Sequence, residues 1–231
     1  MPATKSFDLS AYLIIGPENT LNRPVKSVIQ AAIKGGITFI QIRSKVADAK
    51  DLIAYTRDAA AAIAEAGQQD RIKLVVDDRL DVVLAARDLG IKVDGLHIGQ
   101  SDLPIDFCRQ YLGPDAILGV SARNAELLAY VKETDVTDID YFGAGPFHPT
   151  QTKPEAGRDE KTGEIHTRQV AELIELAHLS PIPVVVGGGV KLADMPQLKA
   201  TGVAGFFVIT AITEASDPER ATRALVTAWQ A

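Results

Sequence analysis

Two adjacent carboxylates, Asp77 and Asp78, close the apolar run Lys73 to Val76, and a third, Asp102, follows the next apolar run in "HIGQSD". Like charges at the mouth of a buried strand are opposed by repulsion and desolvation unless a cation or water is close. Neighbouring carboxylates suit Mg²⁺, which takes one or two protein carboxylates and completes its shell with water and substrate phosphate. Helix capping is the competing use of Asp77 or Asp78, because Asp readily accepts from the first N–H groups of a helix. His97 lies inside the run, with no second His or Cys to complete a zinc set, so it reads as a packed histidine.

Cationic and hydroxyl side chains recur at the ends of other apolar runs. In "FIQIRSKV", Gln41, Arg43 and Lys45 alternate, which puts them on one face of an extended chain. Two cations and an amide there suit phosphate or diphosphate oxygens, and a solvated strand end fits the same pattern equally well. Ser121 in "GVSARN" can meet a ligand or serve an ordinary turn or cap. The segment Gly145 to His166 is long for a connection in a compact domain. Its first half has Pro146 and Pro149 to stiffen it, then Thr150, Thr152 and Lys153, which are good anion ligands. Its second half, Glu155 to Gly163, is charged and predicts a mobile flap, while His148 and His166 read as surface residues. Gly187 to Gly189, with Ile209 and Thr210 after the last apolar run, let backbone N–H groups approach a phosphate. A tight turn needing positive φ is the plainer use of such glycines, though three exceed what a turn needs.

The elements that must hold these residues follow from hydrophobic period. Short apolar runs begin near Ala11, Phe39, Lys73, Gly95, Ile117, Tyr141, Pro183 and Gly205, each short enough for a strand. Helical patterns lie between them, near Val25–Lys34, Asp81–Leu89, Ile105–Leu112, Asn124–Lys132, Thr167–His178, Asp194–Lys199 and Pro218–Trp229. The clearest starts after a cap at Asp48, presents Leu52, Thr56, Ala59 and Ile63 on one face, and stops at Gly67. Eight strand-then-helix units, with no G-x-G-x-x-G after the first, predict an α/β fold, a single (β/α)8 TIM barrel over 1–231 with its core at roughly 11–229. In barrels the chemistry sits at the C-terminal strand ends, where all of these residues fall.

The totals restrict partners. The 24 Lys and Arg against 30 Asp and Glu give a formal charge of -6, and no long basic run appears, which argues against nucleic acid. An anionic ligand must therefore be held by a local cluster or a metal. The single cysteine, Cys108, excludes an internal disulfide and shares a helical face with Ile105 and Leu112, as a buried thiol would. "MPATKSFDLS" has no apolar run of the signal-peptide kind, and no stretch approaches the ~20 apolar residues of a membrane span. A cytoplasmic protein without membrane contact is the expectation. The sequence leaves the oligomeric state open, a homo-oligomer included.

Taken in order, "QIRSK", "DDR", "HIGQSD", "GVS", "GPFHPTQTK", "GGGV" and "VITAI" resemble the thiamine-phosphate synthase family over roughly Ala11 to Ala215. The resemblance implies a (β/α)8 barrel in which a hydroxymethylpyrimidine diphosphate loses Mg²⁺-bound diphosphate while the nitrogen of a thiazole phosphate attacks its methylene carbon. It implies Gln41, Arg43, Lys45, Ser121 and Lys153 at the pyrimidine diphosphate, with Arg43, Lys45 and Lys153 stabilising the leaving group. Asp78 and Asp102 would bind Mg²⁺, while Thr150, Thr152, Gly189, Ile209 and Thr210 would hold the thiazole phosphate. Such a reaction needs no strong base, in keeping with the absence of a His–carboxylate pair or activated nucleophile from the motifs.

Three features depart from the family's pattern. Asp77 stands where Asn is usual and is counted among the substrate-binding positions, next to the metal or in it. Ser44 stands where an acid is common, and Glu155 to Gly163 is longer than expected. Two rival readings remain: a thiazole tautomerase-like barrel, which needs a base but no diphosphate cations, and a regulator that binds thiamine-related phosphates without turnover.

Overall fold

Eight parallel strands pair in chain order and close on themselves, β1 hydrogen-bonding to both β2 and β8. The strands of this computed structural model are β1 (Ala11–Ile15), β2 (Phe39–Ile42), β3 (Lys73–Asp77), β4 (Gly95–Ile98), β5 (Ile117–Ser121), β6 (Tyr141–Ala144), β7 (Val184–Gly187) and β8 (Gly205–Val208). The structure describes residues 5–122, 127–150, 152, 157 and 164–231. The barrel is the expected (β/α)8 architecture, and all eight strands lie where the apolar runs predicted them.

The helices follow from capping and apolar stripes. They are α1 (Val25–Gly35), α2 (Ala49–Glu65), α3 (Leu80–Asp88), α4 (Ile105–Leu112), α5 (Leu127–Glu133), α6 (Val170–Leu179), α7 (Met195–Ala200), α8 (Thr210–Thr213) and α9 (Pro218–Gln230). Asp48 caps α2 by accepting from the Asp51 N–H at 2.9 Å, and Leu52, Thr56, Ala59 and Ile63 are its buried stripe. Asp217 caps α9 in the same way, with Pro218 at the first helical position. Cys108 and Leu112 are buried on α4, as the shared face required.

Several boundaries differ from expectation. α6 begins at Val170 because Gln169 takes the cap position in a reciprocal box with Glu172. α2 ends at Glu65, with Ala66 at the cap position and Gly67 following at φ 64. The predicted start of α5 at Asn124 lies outside the described residues. The capping role considered for Asp77 or Asp78 is not taken up: Arg79 holds the cap position of α3, and no side chain caps it.

Two apolar clusters result. The larger fills the space between the outward strand faces and the helices. The smaller fills the barrel interior with Leu9, Tyr12, Ile14, Phe39, Val75, Ile117, Tyr141 and Val185, against Phe7, Phe207 and Ile209. Interior aromatics need room, and glycines opposite them provide it. A Cβ on Gly119 would lie 2.1 Å from the Tyr141 ring, and one on Gly187 would lie 2.1 Å from the ring of Phe207.

Candidate functional site

Strand alternation turns Gln41 and Asp77 inward with Phe39 and Val75, and the β2–β3 register that pairs Ile42 with Val76 brings Arg43 beside Asp77. Arg43 Nε stands 3.1 Å from Asp77 Oδ2, and Lys45 Nζ reaches the same oxygen at 3.6 Å. Lys45 also donates a very short hydrogen bond to Asp78. The alternation read in the sequence thus yields one convergent cation pair. Asp77 therefore stands within ion-pair distance of both cations.

Asp78 takes the left-handed conformation at φ 60, and its N–H donates to the His97 carbonyl at 2.7 Å. That turn presents its carboxylate to Lys45 and brings it close enough to Asp102 for each carboxyl to shift the other's titration. Asp102 is fixed by the Gly99 N–H, which donates to Oδ2 at 2.6 Å, and a Cβ on Gly99 would stand 2.9 Å from that oxygen. Burial, then the bond to Asp78, pushes the Asp102 carboxyl above its usual range. Burial would raise Asp78 too, but the Lys45 and Asp102 hydrogen bonds outweigh it and hold it low. Lys45 loses some basicity to burial but gains more from Asp78 and Asp77, so it holds its proton more tightly than a free lysine. A cavity of about 260 Å³ opens beside Asp102, lined by Gly99, Gln100, Leu103 and Tyr130 among others.

Two neighbouring carboxylates, one held ionised by Lys45 and the other raised by burial, fit a hard divalent ion that takes one or two protein ligands. Among the described residues no group of three or more His, Cys, Asp or Glu side chains gathers for a metal, which does not match an all-protein zinc set.

The opposite half of the rim is built differently. Gly188 and Gly189 adopt φ 82 and 69, and a Cβ there would meet Pro146 at 2.7 Å and His148 at 2.8 Å. The glycines therefore serve a close approach of two loops: Phe147 and His148 donate their N–H groups to the carbonyls of Gly187 and Gly188, each at 2.9 Å. This packing seats His148 and Pro149 beside Gly189, and the hydroxyls of Thr150 and Thr152 that follow are 3.0 Å apart. After β8, Ile209 precedes the one-turn helix α8, whose start carries no side-chain cap. Arg23 braces that turn from below, donating to the carbonyls of Thr213 and, at 2.9 Å, Ala215. Lys153 and the expected flap from Glu155 to Gly163 lie outside the described residues, Gly157 excepted.

The sequence profile described as thiamine monophosphate synthase matches residues 11–212. The chain belongs to that family. It is 38% identical over 222 residues to the thiamine-phosphate synthase of Corynebacterium efficiens, covering 96% of this chain and 95% of that protein. It is 37% identical to the thiamine-phosphate synthase of Corynebacterium jeikeium over the same length, 96% of this chain and 94% of the relative. Among solved structures, the thiamine phosphate pyrophosphorylase from Pyrococcus furiosus superposes with a TM-score of 0.78 at 27% identity, covering 96% of both chains.

Within this family's barrel, the sequence reading passed over the interior aromatics. Tyr12 and Tyr141 are fully buried yet hydrogen-bonded at 2.9 Å, Gln41 Nε2 donates to Tyr12 at 2.7 Å, and His97 joins Tyr141 to Ser121. His97 is the satisfied histidine its strand position predicted. Gln100 was also unforeseen: its amide donates to the Ser121 carbonyl at 2.5 Å and to the Tyr130 hydroxyl at 3.0 Å. The available signal was the period-2 alternation that turns Tyr12, Gln41, His97 and Tyr141 inward. No helix among the described residues is long and apolar enough to cross a membrane.

Proposed function

We propose that the protein is a thiamine-phosphate synthase that joins 4-amino-2-methyl-5-hydroxymethylpyrimidine diphosphate to 4-methyl-5-(2-phosphoethyl)thiazole, releasing diphosphate and thiamine phosphate. The observation that carries this reading is the convergence of Arg43 and Lys45 at strand ends next to the Asp78–Asp102 pair. In the reaction the bond from the pyrimidine methylene to the diphosphate oxygen breaks, and its electron pair leaves with the diphosphate. The thiazole nitrogen supplies the pair for the new carbon–nitrogen bond.

Charge develops mainly on the leaving oxygens, so the demand on the protein is electrostatic. Arg43 offers a planar fork of donors and Lys45 a compact charge whose proton is held tightly, and both stand at the strand ends ready to turn from Asp77 and Asp78 to the departing anion. Lys153, in the segment that follows the two threonines, is assigned a third contact to the same group. Asp78 and Asp102 would hold Mg²⁺, which when bound supplies further positive charge to the diphosphate. Gln41 and Ser121 orient the pyrimidine, and Asp77 lines the diphosphate end. Thr150, Thr152, Gly189, Ile209 and Thr210 hold the thiazole phosphate, with loops after strands 7 and 8 where barrels commonly bind phosphate. Holding the two reactants in line contributes much of the remaining acceleration.

Release of diphosphate, measured with both substrates and with each omitted, tests the assignment. The reading requires release that depends on both and stops with EDTA. Thiazole phosphate binding without any release would favour a tautomerase-like or regulatory barrel.

A further inference from the structure

A buried polar chain runs through the barrel interior from Gln41 to Ser121, and the Gln41 amide sets the sense in which it can be read. Gln41 Nε2 donates to the Tyr12 hydroxyl at 2.7 Å, leaving Tyr12 with one proton to give. Tyr141 is the phenol at 2.9 Å, so that proton goes to the Tyr141 oxygen. Tyr141, accepting there, gives its own proton to His97 Nδ1 at 3.0 Å. A neutral imidazole that accepts on Nδ1 carries its proton on Nε2, which donates to Ser121 Oγ at 3.0 Å. The opposite direction would require the Gln41 amide to turn its oxygen, in place of its NH2 group, to Tyr12. The Ser121 hydroxyl, its lone pair engaged by His97, then has its proton available for the rim.

We propose that Tyr12, Tyr141 and His97 are positioning residues that commit Ser121 to donate, so that the atom it meets on the pyrimidine diphosphate must be an acceptor. The proposal rests on the reading above that Ser121 contacts that substrate. The fold protects the chain at each step. Both phenols are fully buried, which suppresses their ionisation, and His97 is 8% exposed. Gly119 leaves the space that the Tyr141 hydroxyl occupies, since a Cβ there would stand 2.4 Å from it, and Gly143 lets the imidazole pass, a Cβ there lying 3.3 Å from Cε1. The "GVS" motif is thereby explained as a unit: its glycine seats the tyrosine, and its serine receives the end of the chain that the tyrosine propagates.

Four proteins and two readouts test this: wild type, Tyr141→Phe, Ser121→Ala and the double variant. Nitrogen-15 NMR of wild-type imidazoles should show His97 neutral with its proton on Nε2, and Tyr141→Phe should abolish that fixed tautomer. Wild-type His97 protonated on Nδ1 overturns the proposal without any activity measurement. In diphosphate release, Tyr141→Phe should lower kcat/KM about tenfold, a size suited to one misdirected hydrogen bond. The double variant should be no slower than Ser121→Ala alone, because Tyr141 acts only through Ser121. Additive losses overturn the proposal and leave the synthase reading intact. A fully active Ser121→Ala protein overturns it as well, while the release it displays upholds that reading. If Tyr141→Phe does not fold, Tyr12→Phe replaces it in the same cycle with the same expected outcomes.

Discussion

Asp77→Asn separates two uses of an acidic residue at the diphosphate end. Its carboxylate lies 3.1 Å from Arg43 and 3.6 Å from Lys45, with the Arg43 and Asp77 side chains only 13% and 10% exposed. An arriving diphosphate must share those cations with a fixed negative charge. Two unit charges ~4 Å apart interact by roughly 4 kcal/mol at an effective dielectric of about 20. The half-exposed Lys45 and the solvent at the rim screen part of that, leaving a net penalty of about 1–2 kcal/mol. Replacing Asp77 by the isosteric amide removes the penalty, so diphosphate should bind about 5- to 30-fold more tightly. The assay is inhibition by inorganic diphosphate at saturating Mg²⁺, together with KM for the pyrimidine diphosphate. Both constants should fall, and product release should slow. An unchanged or weaker inhibition constant would refute the reasoning, and a raised Mg²⁺ requirement would place Asp77 in the metal shell.

Asp78→Asn should raise the Mg²⁺ concentration needed for half-maximal rate by about 10- to 100-fold, and an unchanged titration would remove Asp78 from the metal site. Lys153→Ala should cut turnover by about 10²-fold or more, consistent with loss of one donor to a developing charge, and full activity would misplace the anion site. Gly189→Ala imposes a Cβ at φ 69 within 3.0 Å of His148 and Pro149; it should raise KM for the thiazole phosphate and lower the melting temperature, and a variant unchanged in both would contradict the packing described. Cys108, buried and with its thiol pushed up by burial, should resist thiol reagents in the native protein. Cys108→Ser should retain near-normal turnover while losing about 1–2 kcal/mol of stability in a denaturant melt.

The strands were legible because each is a short β-branched or aromatic run between turn residues, and the rim because Arg43, Lys45, Asp78 and Asp102 fall just beyond those runs. Which charges meet was not legible. Asp77 could have capped α3; the β2–β3 register, set by closure of the whole barrel, brings it beside Arg43 instead. The glycine triplet was visible, but its cause lies with Phe207, Pro146 and His148, residues from distant parts of the chain. The interior hydrogen bonds were the least accessible. Tyr12, Gln41, His97 and Tyr141 come from four strands, and only the closed barrel makes them neighbours.

Phosphorus-31 NMR of the protein with Mg²⁺ and both substrates follows the central claim directly, because every phosphorus atom of the reaction is distinct. The account predicts that the diphosphate ester signals are replaced by inorganic diphosphate in step with formation of one equivalent of thiamine phosphate, only while Mg²⁺ is present. Conversion of the thiazole phosphate while the diphosphate ester persists would contradict it.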